Sequence, residues 1–128
     1  VDRAINTLVR QGVSSCWVNA GGDLRVYGDK RLEIMRRELD GNLQPLGYLQ
    51  NAAIASSFSG AQRTMDMPGR IVGTNTEGQD PGTVISVIAR SAWRADALTK
   101  VASASAIAER SMLVSRLGGV VVTPACHW

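Results

Sequence analysis

The chain has 128 residues, 45% hydrophobic and 20% charged, with a formal net charge of +3. These are globular values, long enough for one real core and read as a single domain over 1–128. They exclude a helical membrane span, because no apolar run reaches the ~18 residues one needs. The basic residues cluster only at Lys30-Arg31 and Arg36-Arg37, without interleaved aromatics, which argues against a nucleic-acid partner.

Residues 2–11 read as a helix, with Asp2 placed to cap its start and Ile5, Leu8 and Val9 on one face. Gly12 suits the left-handed position after its last turn. A strand over 14–19 follows, then Gly21-Gly22-Asp23, then a strand over 24–28. In Arg31-Leu32-Glu33-Ile34-Met35-Arg36, Leu32 and Ile34 alternate with charges, which predicts a strand with one wet face. Asp40-Gly41-Asn42 is a turn, and Leu46 to Ala55 reads as one strand leading into Ser56-Ser57-Phe58-Ser59-Gly60.

From Thr64 to Thr83 no period is sustained, and the stretch reads as a long loop holding one short strand at Arg70-Ile71-Val72. Val84 to Ala89 is a buried strand. Ser91 caps a helix whose apolar face takes in Trp93, Ala97, Leu98, Val101 and Ala102. A second helix over 107–117 ends at Gly118-Gly119, and Val120-Val121-Val122 is a last strand, stopped by Pro124. Strands in neighbouring pairs with helices between the pairs predict an α+β fold: an antiparallel or mixed sheet with its helices packed on one face.

Three places invite chemistry. The first is the glycine pair followed by Asp23, an acceptor-only carboxylate beside backbone that another group can approach closely. A plain hairpin turn accounts for the same residues. The second is Cys16 and Cys126, which make no disulfide framework: Cys16 reads as a buried strand residue, and a Cys126–His127 metal pair lacks further ligands at useful spacing. The third is Asp96 and Lys100, four apart on a helix and so sharing a face. No P-loop, serine elbow or zinc cluster is present.

Asn19-Ala20-Gly21-Gly22-Asp23-Leu24-Arg25-Val26 with its trailing Gly28 resembles the signature of the ApbE-type FAD:protein FMN transferases. Val1-Asp2-Arg3-Ala4, Ala53-Ile54-Ala55-Ser56-Ser57, Ser86-Val87-Ile88 and Ala95-Asp96-Ala97-Leu98-Thr99 fall in that family's order. The likeness spans nearly the whole chain but only the second half of the family's usual length. It implies a T-fold-like layered domain and a site for FAD, with Mg bridging the diphosphate and a threonine-bearing protein as FMN acceptor. Carried over by position, Gly21, Gly22, Asp23, Ser56 and Ser57 fall on FAD, and Asp96 on the metal.

Two departures stand out. Arg70 replaces the family's catalytic histidine, and arginine suits phosphate binding better than proton transfer, because it stays protonated. Lys100 replaces the metal-binding threonine, with Thr99 one position early. The resemblance leaves three readings: a transferase, a non-catalytic flavin-binding module, and a structural T-fold domain that oligomerises through its sheet edges. An unpaired edge is expected to be covered by a second copy or an upstream half. Valine rather than methionine at position 1 fits a fragment or a processed chain. Members of the family are often exported in bacteria, but this chain shows no signal segment, so its compartment stays open.

Overall fold

The computed structural model describes residues 1–58 and 83–122. The expected strand at Arg70-Ile71-Val72, the residue Arg70 itself, Pro124 and the Cys126–His127 pair lie outside the described residues. Ten elements follow in order: α1 (Asp2–Arg10), β1 (Cys16–Ala20), β2 (Asp23–Tyr27), β3 (Arg31–Arg37), β4 (Leu43–Gln50), β5 (Ala53–Phe58), β6 (Val84–Ala89), α2 (Ala92–Ala104), α3 (Arg110–Arg116) and β7 (Gly119–Val122). Five strands form one sheet in the order β1-β2-β5-β6-β7, and β3 and β4 pair as a separate ribbon. Among the described residues every pairing is antiparallel.

Period-two alternation sorts the sheet's side chains onto two faces, each with its own core. On one face Ala55, Ile85, Val87 and Ala89 pack under Ala95, Leu98 and Ala102 of α2 and Val114 of α3. On the other, Val26 and Ile54 pack against Ile34 and Leu49 of the β3–β4 ribbon. The helices do share one face, and the ribbon covers part of the other. Small residues let α2 lie close to the sheet. Close approach also fixes Gly119, where an added Cβ would fall 2.5 Å from the Leu98 side chain.

The helix face of α2 is rotated from expectation: Thr99 and Ser103 are buried, while Trp93 and Ala97 are exposed. Alanines and short hydroxyls fit the narrow gap to the sheet, and an indole does not. Cys16 is half-buried rather than buried, because among the described residues β1 pairs with β2 alone. The span 46–55 is two strands, not one. Asn51, at φ +45, turns the chain between β4 and β5, a conformation asparagine tolerates better than most residues. Consequently Ser56 and Ser57 belong to β5, paired through to β6 opposite Ser86 and Ile85.

Two capping assignments also change. Gly12 does close α1: its N–H reaches the Val9 carbonyl and Val13 N–H reaches Leu8, the double bond of a Schellman end. Asp2, however, is the first residue inside α1, and its carboxylate caps α2 instead. It accepts the backbone N–H groups of Ala92 and Trp93, both at 3.0 Å, and the Arg25 guanidinium at 2.7 Å. Ser91 holds the N-cap position of α2 but makes no side-chain cap bond.

Candidate functional site

Ala20 and Asp23 pair across β1 and β2, so Gly21 and Gly22 form the whole hairpin connection. Their φ values are +65 and +102, the double left-handed geometry of a two-residue type I′ turn. The Asn19 side-chain oxygen accepts the Gly22 N–H at 3.2 Å. A Cβ at either glycine would meet nothing within 4 Å. The backbone therefore needs glycine here, and the absent side chains leave the turn open to its surroundings. Gly21 and Gly22 line a recess of about 260 Å³ between the sheet and the β3–β4 ribbon, together with Asn19, Arg36, Ser56 and Ser57.

Ser56 and Ser57 are neighbours on β5 and so point to opposite faces. Ser56 Oγ lies 2.8 Å from Ser86 Oγ on the ribbon side. Arg36 Nη1 donates to the same Ser86 oxygen at 3.4 Å, and Arg36 Nε donates to Glu38 Oε1 at 2.7 Å. Only 7% of Arg36 is exposed. Charged residues of β3 were expected to face outward, and this one does not. The signal was present in the alternation: Leu32, Ile34 and Arg36 share a phase. A β-bulge at the Ile34/Met35 register, with Leu46 the extra residue of β4, preserves that phase up to the ribbon's end.

The other face gathers a second group. Ser57 Oγ lies 2.7 Å from Thr99 Oγ1, and Thr99 Oγ1 donates to the Asp96 carbonyl at 2.7 Å. Lys100 Nζ donates to Ser57 Oγ at 3.3 Å and forms an ion pair with the Asp96 carboxylate. Asp23 belongs electrostatically to this side. Burial pushes its carboxyl above the ordinary value, Asp96 pushes it further, and Lys100 partly offsets both. Asp23 does not line the recess beneath its own turn. It lines a shallower one with Val1, Asp2, Arg3, Ala92 and Trp93. The turn thus presents its glycines to one recess and its carboxylate to another.

These donors do not fit a divalent metal well. Magnesium demands a near-octahedral set of oxygens. The Thr99 hydroxyl is fully buried and bonded on both sides, and Lys100 has no lone pair to give. Among the described residues no three His, Cys, Asp or Glu side chains converge on one point.

A family model described as the ApbE family matches residues 1–122. The fold is similar to the crystal structure of Pseudomonas stutzeri flavinyl transferase ApbE in its apo form, at a TM-score of 0.59 and 21% identity. That match covers 98% of this chain and 48% of the other, so the chain spans about half the length of that protein. No curated protein matches significantly. The chain belongs to the ApbE family.

Proposed function

We propose that this chain binds FAD through the recess beneath the Gly21-Gly22 turn and acts as a flavin transferase-like protein, moving FMN from FAD to a threonine hydroxyl of a partner protein. One observation carries the reading. Gly21-Gly22 and Ser56-Ser57, the segments that correspond to the family's FAD contacts, stand far apart in the sequence yet line one recess. Arg36 adds a buried guanidinium suited to an anionic group, since arginine donates from a planar fork.

The recess is smaller than the ~300–1,000 Å³ of most ligand pockets. On this reading it takes part of a dinucleotide, and the remainder lies against the half of the fold that this chain does not span. When bound, FAD would supply the phosphoanhydride: the threonine oxygen would bond the FMN phosphorus, giving up its proton, as the bond to AMP breaks and AMP leaves. This chain's own contribution is open backbone at Gly21 and Gly22, the hydroxyl of Ser56, and the Arg36 guanidinium, whose charge Glu38 already pairs.

A second reading, binding without transfer, is favoured by Arg70 in the place of a histidine, because arginine cannot take a proton near neutral pH. Flavin fluorescence on titration with FAD tests binding. Covalent flavin on a threonine-containing target after incubation separates transferase from binding module. The third reading, an assembly domain, fits the sheet's edge strands, where Trp17 of β1 and Val120 of β7 are exposed. Quenching of flavin fluorescence by the protein would exclude it as the sole role.

A further inference from the structure

The group on the helix side of β5 is a closed ring of donors and acceptors. The Thr99 proton goes to the Asp96 carbonyl, so the Ser57 proton must go to Thr99 Oγ1. Ser57 Oγ then accepts from Lys100 Nζ, whose ammonium also holds the Asp96 carboxylate. Side chain and carbonyl of Asp96 close the ring. Each hydroxyl has a single proton, so the direction of every bond follows. A metal entering here would have to displace the ammonium from Asp96 and break Ser57–Thr99 to obtain a hydroxyl ligand. An ammonium has three donors, and this one commits two of them to the ring.

We infer that the Lys100 ammonium is a resident cation: held by the Asp96 carboxylate and Ser57 Oγ, it occupies the position that the family resemblance assigns to a divalent ion and closes it to metal. The titration arm of its test rests on the flavin reading above; the ring itself lies on the helix face of β5, across the sheet from the recess. Lys100 is anchored from two elements, Asp96 on its own helix and Ser57 on β5, which distinguishes it from a free surface lysine. The Asp23 carboxylate stands within electrostatic reach of the same ammonium.

Two measurements on the full chain test this. FAD titrations are run in EDTA and in excess magnesium, on the native protein and on Lys100→Thr and Lys100→Arg. The native protein is expected to bind equally in both buffers. Lys100→Thr frees Asp96 and adds a hydroxyl, and its FAD affinity is expected to gain a dependence on magnesium of about tenfold. Lys100→Arg keeps the charge and is expected to bind in EDTA. Native binding that requires magnesium overturns the inference and leaves the flavin reading standing. No flavin binding in either buffer overturns the flavin reading alone, and the Mn²⁺ measurement then decides the resident cation. Mn²⁺ binding followed by electron paramagnetic resonance needs no flavin: the native chain should bind none, and Lys100→Thr should gain a site that Asp96→Asn removes. Stoichiometric Mn²⁺ on the native chain, lost in Asp96→Asn, overturns the resident cation directly.

Discussion

Asp2 Oδ2 accepts the backbone N–H of Trp93 at 3.0 Å, so a residue of the first helix caps the second across most of the chain. The same carboxylate takes the Ala92 N–H and the Arg25 guanidinium, tying α1, β2 and α2 at one point. Burial alone would raise this carboxyl. The Trp93 and Ala92 amides together with Arg25 outweigh it and hold the group below the ordinary carboxylate value. The carboxylate's contribution is therefore present above the unfolded-chain value and is lost as pH falls through the lower, folded one.

Replacing this cap should cost stability. Asp2→Ala is expected to lose about 1–2 kcal/mol at neutral pH, the range of a lost N-cap with its helix-end charge. The urea midpoint should fall without a change in slope. Asp2→Asn should show a weaker acid dependence than the native chain below about pH 4, where the native carboxylate titrates. Equal acid sensitivity of the two proteins would show that the cap is not the titrating group.

Asp23 carries the opposite sign. Its carboxyl is raised, first by burial and then by Asp96, so at neutral pH its charge opposes folding. Its penalty is absent below the unfolded-chain value and grows as pH rises through the folded one. Asp23→Asn should therefore be at least as stable as the native chain at pH 7 and lose that advantage in acid. A carboxylate whose burial opposes folding is a functional candidate; because Asp23 lines the other recess, the same variant is expected to leave FAD affinity unchanged, and weaker binding would bring that recess into the site. Chemical denaturation and a flavin titration on one preparation read both effects.

The Arg36–Glu38 pair is expected to be coupled. Arg36→Met removes a buried guanidinium, leaves the Glu38 carboxylate without it, and takes a donor from Ser86. A loss of about 1–3 kcal/mol is expected, the cost of stranding a charged partner. Arg36→Met with Glu38→Gln should recover part of it, which a double-mutant cycle measures. Loss of FAD affinity in the double variant, with its stability restored, would assign Arg36 to the ligand rather than to the fold.

At the turn, Gly21 and Gly22 differ as test sites. Gly22, at φ +102, tolerates no side chain without strain, so its substitution confuses fold with function. Gly21, at φ +65, lies where asparagine is accepted. Gly21→Asn should keep the fold and lower FAD affinity by adding a side chain to open space. Unchanged affinity would remove the turn from the site.

Much of this architecture was legible because short-range pattern and long-range packing agree. Val84 to Ala89 is buried at nearly every position, as a continuous apolar run predicts. Leu32 and Ile34 face inward, as their alternation predicts. The misread elements are those where a distant partner decides. Nothing near Asp2 says that its carboxylate will cap a helix beginning at Ala92. The turn at Asn51 lacks the glycine or proline that would mark it. Arg36 continues an apolar phase, but its charge weighed against burial until Glu38 and Ser86 were seen beside it. Resemblance singled out Gly21-Gly22 and Ser56-Ser57 as candidates, and the structure sets both segments along one recess. The site's division between two faces followed only from placing Ser56 and Ser57 within a strand.

The recess has two walls of different mechanical character. One is the five-stranded sheet, joined by ladder hydrogen bonds from β1 to β7. The other is the β3–β4 ribbon, whose ladder bonds are internal and which meets the sheet through Ile34, Leu49 and the Arg36–Ser86 bond. Widening the recess thus slides side chains over one another and breaks no strand pairing. Compliance is concentrated in the ribbon. A ligand larger than the resting volume loads that wall first, and hydrogen exchange in the ribbon is where its entry should register, while β5 and β6 stay protected.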